Sequence, residues 1–136
     1  MGVSISWAND DHTIVTYTFA DPWTWDEFYR CWDWLKAEMD ASDQPISIIM
    51  DLRAFRTIPP DIMKHLKGIL VQMHPNFSRA TAYVGAGMLK TMYPVVLRQL
   101  APEMVGQVQA FFAPTLEEAR QLLDDWGSQQ KLKDSR

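Results

Sequence analysis

Pro45 is followed by Ile46-Ser47-Ile48-Ile49-Met50, a short and nearly continuous apolar run that ends at Asp51. A run of that length and composition fits a strand buried on both faces, as parallel strands are. Such a strand needs cover above and below, so the segments around it must supply amphipathic helices. Upstream, Thr24 stands three residues before Glu27, the spacing of a capping box. Asp26 and Glu27 also suit the positive end of a helix dipole. Trp25, Phe28, Tyr29, Trp32, Leu35 and Met39 share one helical face, and the pattern ends near Ala41-Ser42-Asp43. Downstream, Pro59-Pro60-Asp61 is a helix start, because proline is tolerated in a first turn. Ile62, Leu66, Ile69 and Met73 form its apolar stripe, and His74-Pro75-Asn76 stops it.

The flanking segments extend the alternation. Val3, Ile5 and Trp7 alternate with Ser4 and Ser6, a half-buried strand. Asn9-Asp10-Asp11 is turn chemistry, and His12 to Phe19 alternates again, so the chain opens with a β-hairpin. Ala80 to Val84 reads as a further strand, followed by a tight turn at Gly85-Ala86-Gly87. Met88 to Leu100 is helical by pattern, with a kink or break expected at Pro94. Gly106 to Phe112 reads as the last strand. Thr115 and Glu118 form a second capping box for a helix from Leu116 to about Trp126, with Gly127 as its C-cap. The order is ββαβαβαβα. It predicts one α/β domain over residues 1–126, a mixed five-stranded sheet with four helices, and a polar C-terminal tail over residues 127–136.

Composition narrows the function classes. The 136 residues carry 13 Lys and Arg against 17 Asp and Glu, and 47% are apolar. That balance predicts a globular chain and argues against the basic face that nucleic acid requires. A single cysteine, Cys31, excludes an internal disulfide and a cysteine-cluster zinc site. No apolar run approaches the ~20 residues that span a bilayer. MGVSISWAND has neither the basic start nor the apolar stretch of a signal peptide. The expectation is a cytoplasmic protein with no membrane span.

Three stretches carry a family resemblance. They are ISIIMDLR (Ile46 to Arg53), AYVGAGMLKTMYPVVLRQLAP (Ala82 to Pro102) and VQAFFAPTLEEARQLLDDW (Val108 to Trp126). Together with the element order they resemble the STAS domain, the fold of anti-sigma-factor antagonists, in the bacterial branch grouped with CRAL-TRIO-like lipid-binding domains. The likeness spans residues 3 to about 126. It implies a STAS fold and a regulatory role exerted by protein contact. Anti-sigma-factor antagonists carry a phosphorylatable serine in the loop after the strand matched by Ile46–Asp51. Here Asp51 to Pro60 holds neither serine nor glycine, and Thr57 is its only hydroxyl. The contact role carries over more readily than the phosphorylation switch.

Candidate sites follow from where open α/β sheets bind ligands, outside the carboxyl ends of their strands. One such loop offers Asp51, Arg53, Arg56 and Thr57, and the neighbouring strand ends at Gly85 and Gly87 before a helix. Two arginines beside a helix N-terminus suit a small anionic ligand such as a phosphate or carboxylate. The plain alternative is a turn with solvated arginines. His12, His65 and His74 show no metal-ligand spacing, so no metal and no cofactor is expected. No nucleophile stands with a base in sequence, so no catalytic residue is assigned and the chain is read as a non-enzyme. The aromatic helix supplies the other candidate. Trp34 falls about 180° from Trp25, beside Arg30, and reads as exposed. Val71 is a similar outlier on the second helix. Trp34, Arg30 and Val71 thus mark an interface for a protein partner or a second copy in a homodimer. A third reading is a carrier of a small apolar molecule or lipid, since eight Met and sixteen aromatic residues suit an adaptable pocket.

Overall fold

The computed structural model describes residues 2–55, 61–71, 74–85, 87–100 and 102–134, without the side chains of residues 63, 66, 67, 70, 71, 88–90, 92, 100, 104 and 134. The elements are β1 (Val3–Trp7), β2 (Ile14–Ala20), α1 (Trp25–Ala41), β3 (Ile46–Ala54), α2 (Ile62–Val71), β4 (Phe77–Val84), α3 (Gly87–Leu100), a 3-10 turn (Pro102–Met104), β5 (Gln109–Ala113) and α4 (Leu116–Asp134). The chain is α/β with one mixed five-stranded sheet, ordered β1-β2-β3-β4-β5. β1 pairs antiparallel with β2, and every later pair is parallel.

Spatial order equals chain order, so each crossover steps one place in the same direction. Crossovers of one hand then put their helices on one face. The contacts agree. α1 packs Phe28, Leu35 and Met39 against Val15, Tyr17, Phe19, Ile46 and Ile48. His65 of α2 stacks on Trp25 of α1, and Tyr93 of α3 meets Tyr83 and Phe112. α4 follows the last strand and covers the opposite face. There Ala119 and Leu123 pack with Ile14, Ile49, Ala80, Ala82, Val84 and Ala113. β3 lies between the two layers, which is why Ile46, Ile48 and Ile49 are all buried.

α4 covers only part of its face. The register aligns Ser4 with Thr18 and Asp51, and Ser6 with Thr16 and Ile49. Ser4 and Ser6 are exposed and Thr16 and Thr18 half-buried, so the β1–β2 end of that face carries hydroxyls where the α4 end carries alanines. Side-chain period two assigns both patterns to the same face.

Local chemistry fixes the ends of the elements. Thr24 and Glu27 form the expected capping box, with Glu27 N–H donating to Thr24 Oγ1 at 3.2 Å and Thr24 N–H to Glu27 Oε1 at 3.1 Å. At the other end of α1, the Asn76 amide donates to the carbonyls of Met39 and Ser42, at 2.8 and 2.9 Å. The hairpin turn is held by Asn9 Oδ1, which accepts from the N–H groups of Thr13 and Ile14.

Several boundaries depart from the sequence reading. β4 starts at Phe77, not Ala80, because Phe77 packs on the first core cluster and Ser78 Oγ meets Ser47 Oγ at 2.6 Å. α3 runs through Pro94 to Leu100, and Pro94 is exposed. α4 does not stop at Gly127. It continues to Asp134, with Lys131 and Lys133 in its last turn, where cations oppose the dipole. Gly127 does not take the left-handed backbone that a helix-ending glycine uses. Among the described residues no helix is long and apolar enough to cross a membrane.

Candidate interaction surface

Asp51 and Arg53 both point to the α4 face of β3, two residues apart, at the carboxyl end of the parallel strands. Asp51 is buried and Arg53 is half-exposed at its side chain. The guanidinium forks onto the carboxylate, with Nε to Oδ1 and Nη2 to Oδ2 both at 2.9 Å. The Arg53 N–H adds a bond to Oδ1 at 3.2 Å. Charge-assisted bidentate pairing holds both side chains in one geometry. The arginine bonds hold the Asp51 carboxyl below its ordinary range despite its burial.

The adjacent strand tip is built to fit this pair. Gly85 has φ of 81°, and a Cβ there would lie 2.5 Å from Arg53 Cγ and 2.8 Å from Arg53 Cα. Only glycine allows β4 to turn this close to β3. A register shift beside it, with Thr18 opposite Asp51 and Ala20 opposite Ala54, gives β3 one extra residue there. The result is an open depression of about 320 Å³ lined by Thr18, Phe19, Ala20, Asp51, Arg53 and Ala54. Gly87 opens α3 nearby, exposed and without a close neighbour. The structure therefore brings Asp51, Arg53 and Gly85 together. Arg56 and Thr57 lie outside the described residues.

The interface residues fall differently. Trp34 is half-buried, not exposed. The face of α1 that meets the sheet is centred on Phe28, Leu35 and Met39, and Trp25 flanks it on the α2 side. Measured from that centre, Trp34 lies roughly 120° round, on the β1 side. There its ring meets Trp7 edge-on, with centroids 5.7 Å apart. The other face of this group is closed by His12, stacked on Trp7 at 4.4 Å and 5°. Arg30 is exposed one turn before Trp34. The side chain of Val71 lies outside the described residues.

Each histidine has a structural partner. His12 stacks as described. His65 Nδ1 lies 2.6 Å from the Tyr29 hydroxyl, beneath the Trp25 ring. His74 Nδ1 accepts from the Asn76 N–H, which leaves Nε2 to donate to Asp40 Oδ1 at 2.6 Å. Among the described residues no group of His, Cys, Asp and Glu is placed to hold a metal. Cys31 is half-buried, its thiol 3.8 Å from the Val3 carbonyl, and burial pushes its pKa up.

Sequence reasoning named Asp51, Arg53 and Gly85 separately and missed that they form one unit. The i, i+2 spacing on a strand was the available signal for the ion pair. It also missed the Tyr29–His65–Trp25 contact and the Trp7–His12 stack, which depend on how α2 and the hairpin turn are placed. The chain matches no family model, no curated protein and no solved structure in the comparisons made.

Proposed function

We propose that this chain is a regulatory protein-interaction module with no catalytic step, of the STAS kind that its sequence resembles. Its contact surface is the carboxyl edge of β3 and β4. One observation carries the reading: Arg53 is a half-exposed cation locked in place by a buried carboxylate and a glycine tip. A preorganised arginine meets a partner's carboxylate or phosphate without losing side-chain freedom on binding. Arg56 and Thr57 follow Arg53 by three and four residues in sequence. A small anion is the simplest group that Arg53 would accept. The same resemblance implies a bacterial protein, and we read its location as cytoplasmic.

The shape of the site favours contact over carriage. The depression beside Arg53 is open, and a second one between Tyr29, Trp32, Lys36, Gly68 and Ile69 measures about 180 Å³. Pockets for drug-sized ligands bury most of the ligand's surface, which an open depression does not do.

The test joins capture with native mass spectrometry. Wild-type protein is expected to retain a protein partner from a cell extract and to rebind that partner once purified. Arg53→Ala, with its circular dichroism unchanged, is expected to weaken rebinding at least ~10-fold. Equal rebinding by the variant overturns the assigned surface. A small molecule retained on every chain, and released on unfolding, overturns the module reading in favour of a lipid or small-molecule carrier.

A further inference from the structure

β1 is an edge strand, and it lacks the devices that keep edges apart. Strand edges are blunted by charge, proline, bulges or brevity. β1 reads Val3-Ser4-Ile5-Ser6-Trp7, with no charge and no proline, and its register with β2 runs unbroken over all five residues. The ladder phase is fixed at both ends, where Ala8 N–H donates to the Ile14 carbonyl and Ala20 N–H to the Gly2 carbonyl. Even-numbered residues therefore bond inward to β2. The N–H and C=O groups of Val3, Ile5 and Trp7 point to the open edge. Those of Ile5 and Trp7 have no partner among the described residues, and Val3 C=O meets only the weak Cys31 thiol.

We propose that β1 pairs antiparallel with β1 of a second copy about a two-fold axis at Ile5, joining the two sheets into one. The sequence is self-complementary in that register. Ile5 meets Ile5, Val3 meets Trp7, and on the other face Ser4 meets Ser6. Each apolar residue thus faces an apolar one, and each hydroxyl a hydroxyl. An aromatic opposite a β-branched residue is a favoured cross-strand pair. All three outward pairs exchange backbone hydrogen bonds, which satisfies the whole open row. The interface is isologous, as a closed dimer requires.

The flanking helix fits the same axis. α1 runs in the same sense as β1, since Glu27 holds the Gly2 N–H, Cys31 reaches Val3, and Trp34 meets Trp7. Two copies therefore bring their α1 helices together antiparallel. The N-terminal half of one then faces the C-terminal half of the other, and Trp7 with Trp34 gains cover at the rim. The pairing extends the reading of the chain as an interaction module, but it leaves the Arg53 edge free. Loss of one does not entail loss of the other.

The test reads both association and register. Native mass spectrometry of the whole chain at roughly 100 μM is expected to show a dimer. Ser4→Lys with Ser6→Lys sets like charges opposite each other on an exposed face, and should raise the dissociation constant at least ~10-fold. Ile5→Pro removes one outward donor and leaves the β2 ladder intact, so it should weaken the dimer with the fold retained. For register, Ser4→Cys and Ser6→Cys are made in separate chains carrying Cys31→Ser. Residues opposite in a non-hydrogen-bonded pair lie about 4.5 Å apart at Cα, within disulfide reach. A disulfide is expected when the two variants are mixed, and not from either alone. A monomer at that concentration overturns the proposal. So does a dimer that tolerates the lysines, or one that forms no mixed disulfide.

Discussion

Gly85 lies against the backbone of Arg53, so close that its missing Cβ would stand 2.8 Å from Arg53 Cα. Two neighbouring strand tips are thus fitted to each other, and the arginine that reaches solvent is positioned by a glycine from the next strand.

Gly85→Ala should be among the most damaging small substitutions in the chain. The left-handed backbone alone costs a non-glycine residue about 1–2 kcal/mol. The clash with Arg53 adds to this, because beyond the side-chain Cγ at 2.5 Å it meets the main-chain Cα at 2.8 Å, which cannot swing away. A loss of about 2 kcal/mol or more is expected, read from urea midpoints. Gly87→Ala is the control. Nothing lies within 4 Å of its Cβ position, and it begins a helix, so its effect should be small. Equal effects at the two glycines would remove Gly85 from the site.

Gly127→Ala should stabilise the protein. The residue lies inside α4 with nothing within 4 Å of a new Cβ, and its backbone is not left-handed. Glycine in a helix interior costs roughly 0.5–1 kcal/mol against alanine. A higher urea midpoint is the expected result. If α4 ended at Gly127 in a left-handed cap, the same change would lower it.

Much of the fold was legible because its signals are local. The Thr24–Glu27 capping box and the apolar spacing of Phe28, Leu35 and Met39 need only helical geometry. The apolar run Ile46–Met50 correctly implied cover on both faces. The errors arise where a partner far along the chain decides. Trp34 reads as exposed on a wheel centred on Trp25, but Trp25 flanks the core face and stacks on His65, forty residues on in sequence. Gly127 carries no local sign that the polar stretch beyond it stays helical. At the candidate site the residue types were visible, whereas the Gly85–Arg53 fit arises only when β4 is laid beside β3.

Tyr17→Phe tests the joint between sheet and helix. Tyr17 is fully buried, its ring against those of Phe19 and Phe28, which also meet each other, and its hydroxyl donates to the Phe28 carbonyl at 2.6 Å. Burial also drives its pKa well above the ordinary tyrosine range. Phenylalanine keeps the rings and deletes one bond. The carbonyl stays within α1, so the loss should be near 1 kcal/mol. Tyr17→Leu also removes the ring stacking and should cost several times more, about 3 kcal/mol. Similar losses for both would mean that the hydroxyl, and not the ring, holds α1 to the sheet.

The Asp51–Arg53 pair makes stability depend on acid in a defined direction. Its arginine bonds lower the Asp51 pKa in the folded chain, so the unfolded chain takes up that proton first as pH falls. The contribution is therefore complete above the unfolded value, about 4, and is lost progressively below it. Arg53 is half-exposed, which screens the pair and holds the effect to about 1 kcal/mol or less. Unfolding of wild type and Asp51→Asn at neutral pH and near pH 3 measures it. Wild type should be the more stable at neutral pH, and the gap should narrow in acid. Added salt should shrink the neutral gap as well, since part of the pair faces solvent. A gap that stays constant with pH would assign the Asp51 contribution to packing and neutral hydrogen bonds, and would leave Arg53 without the charged anchor that orients it.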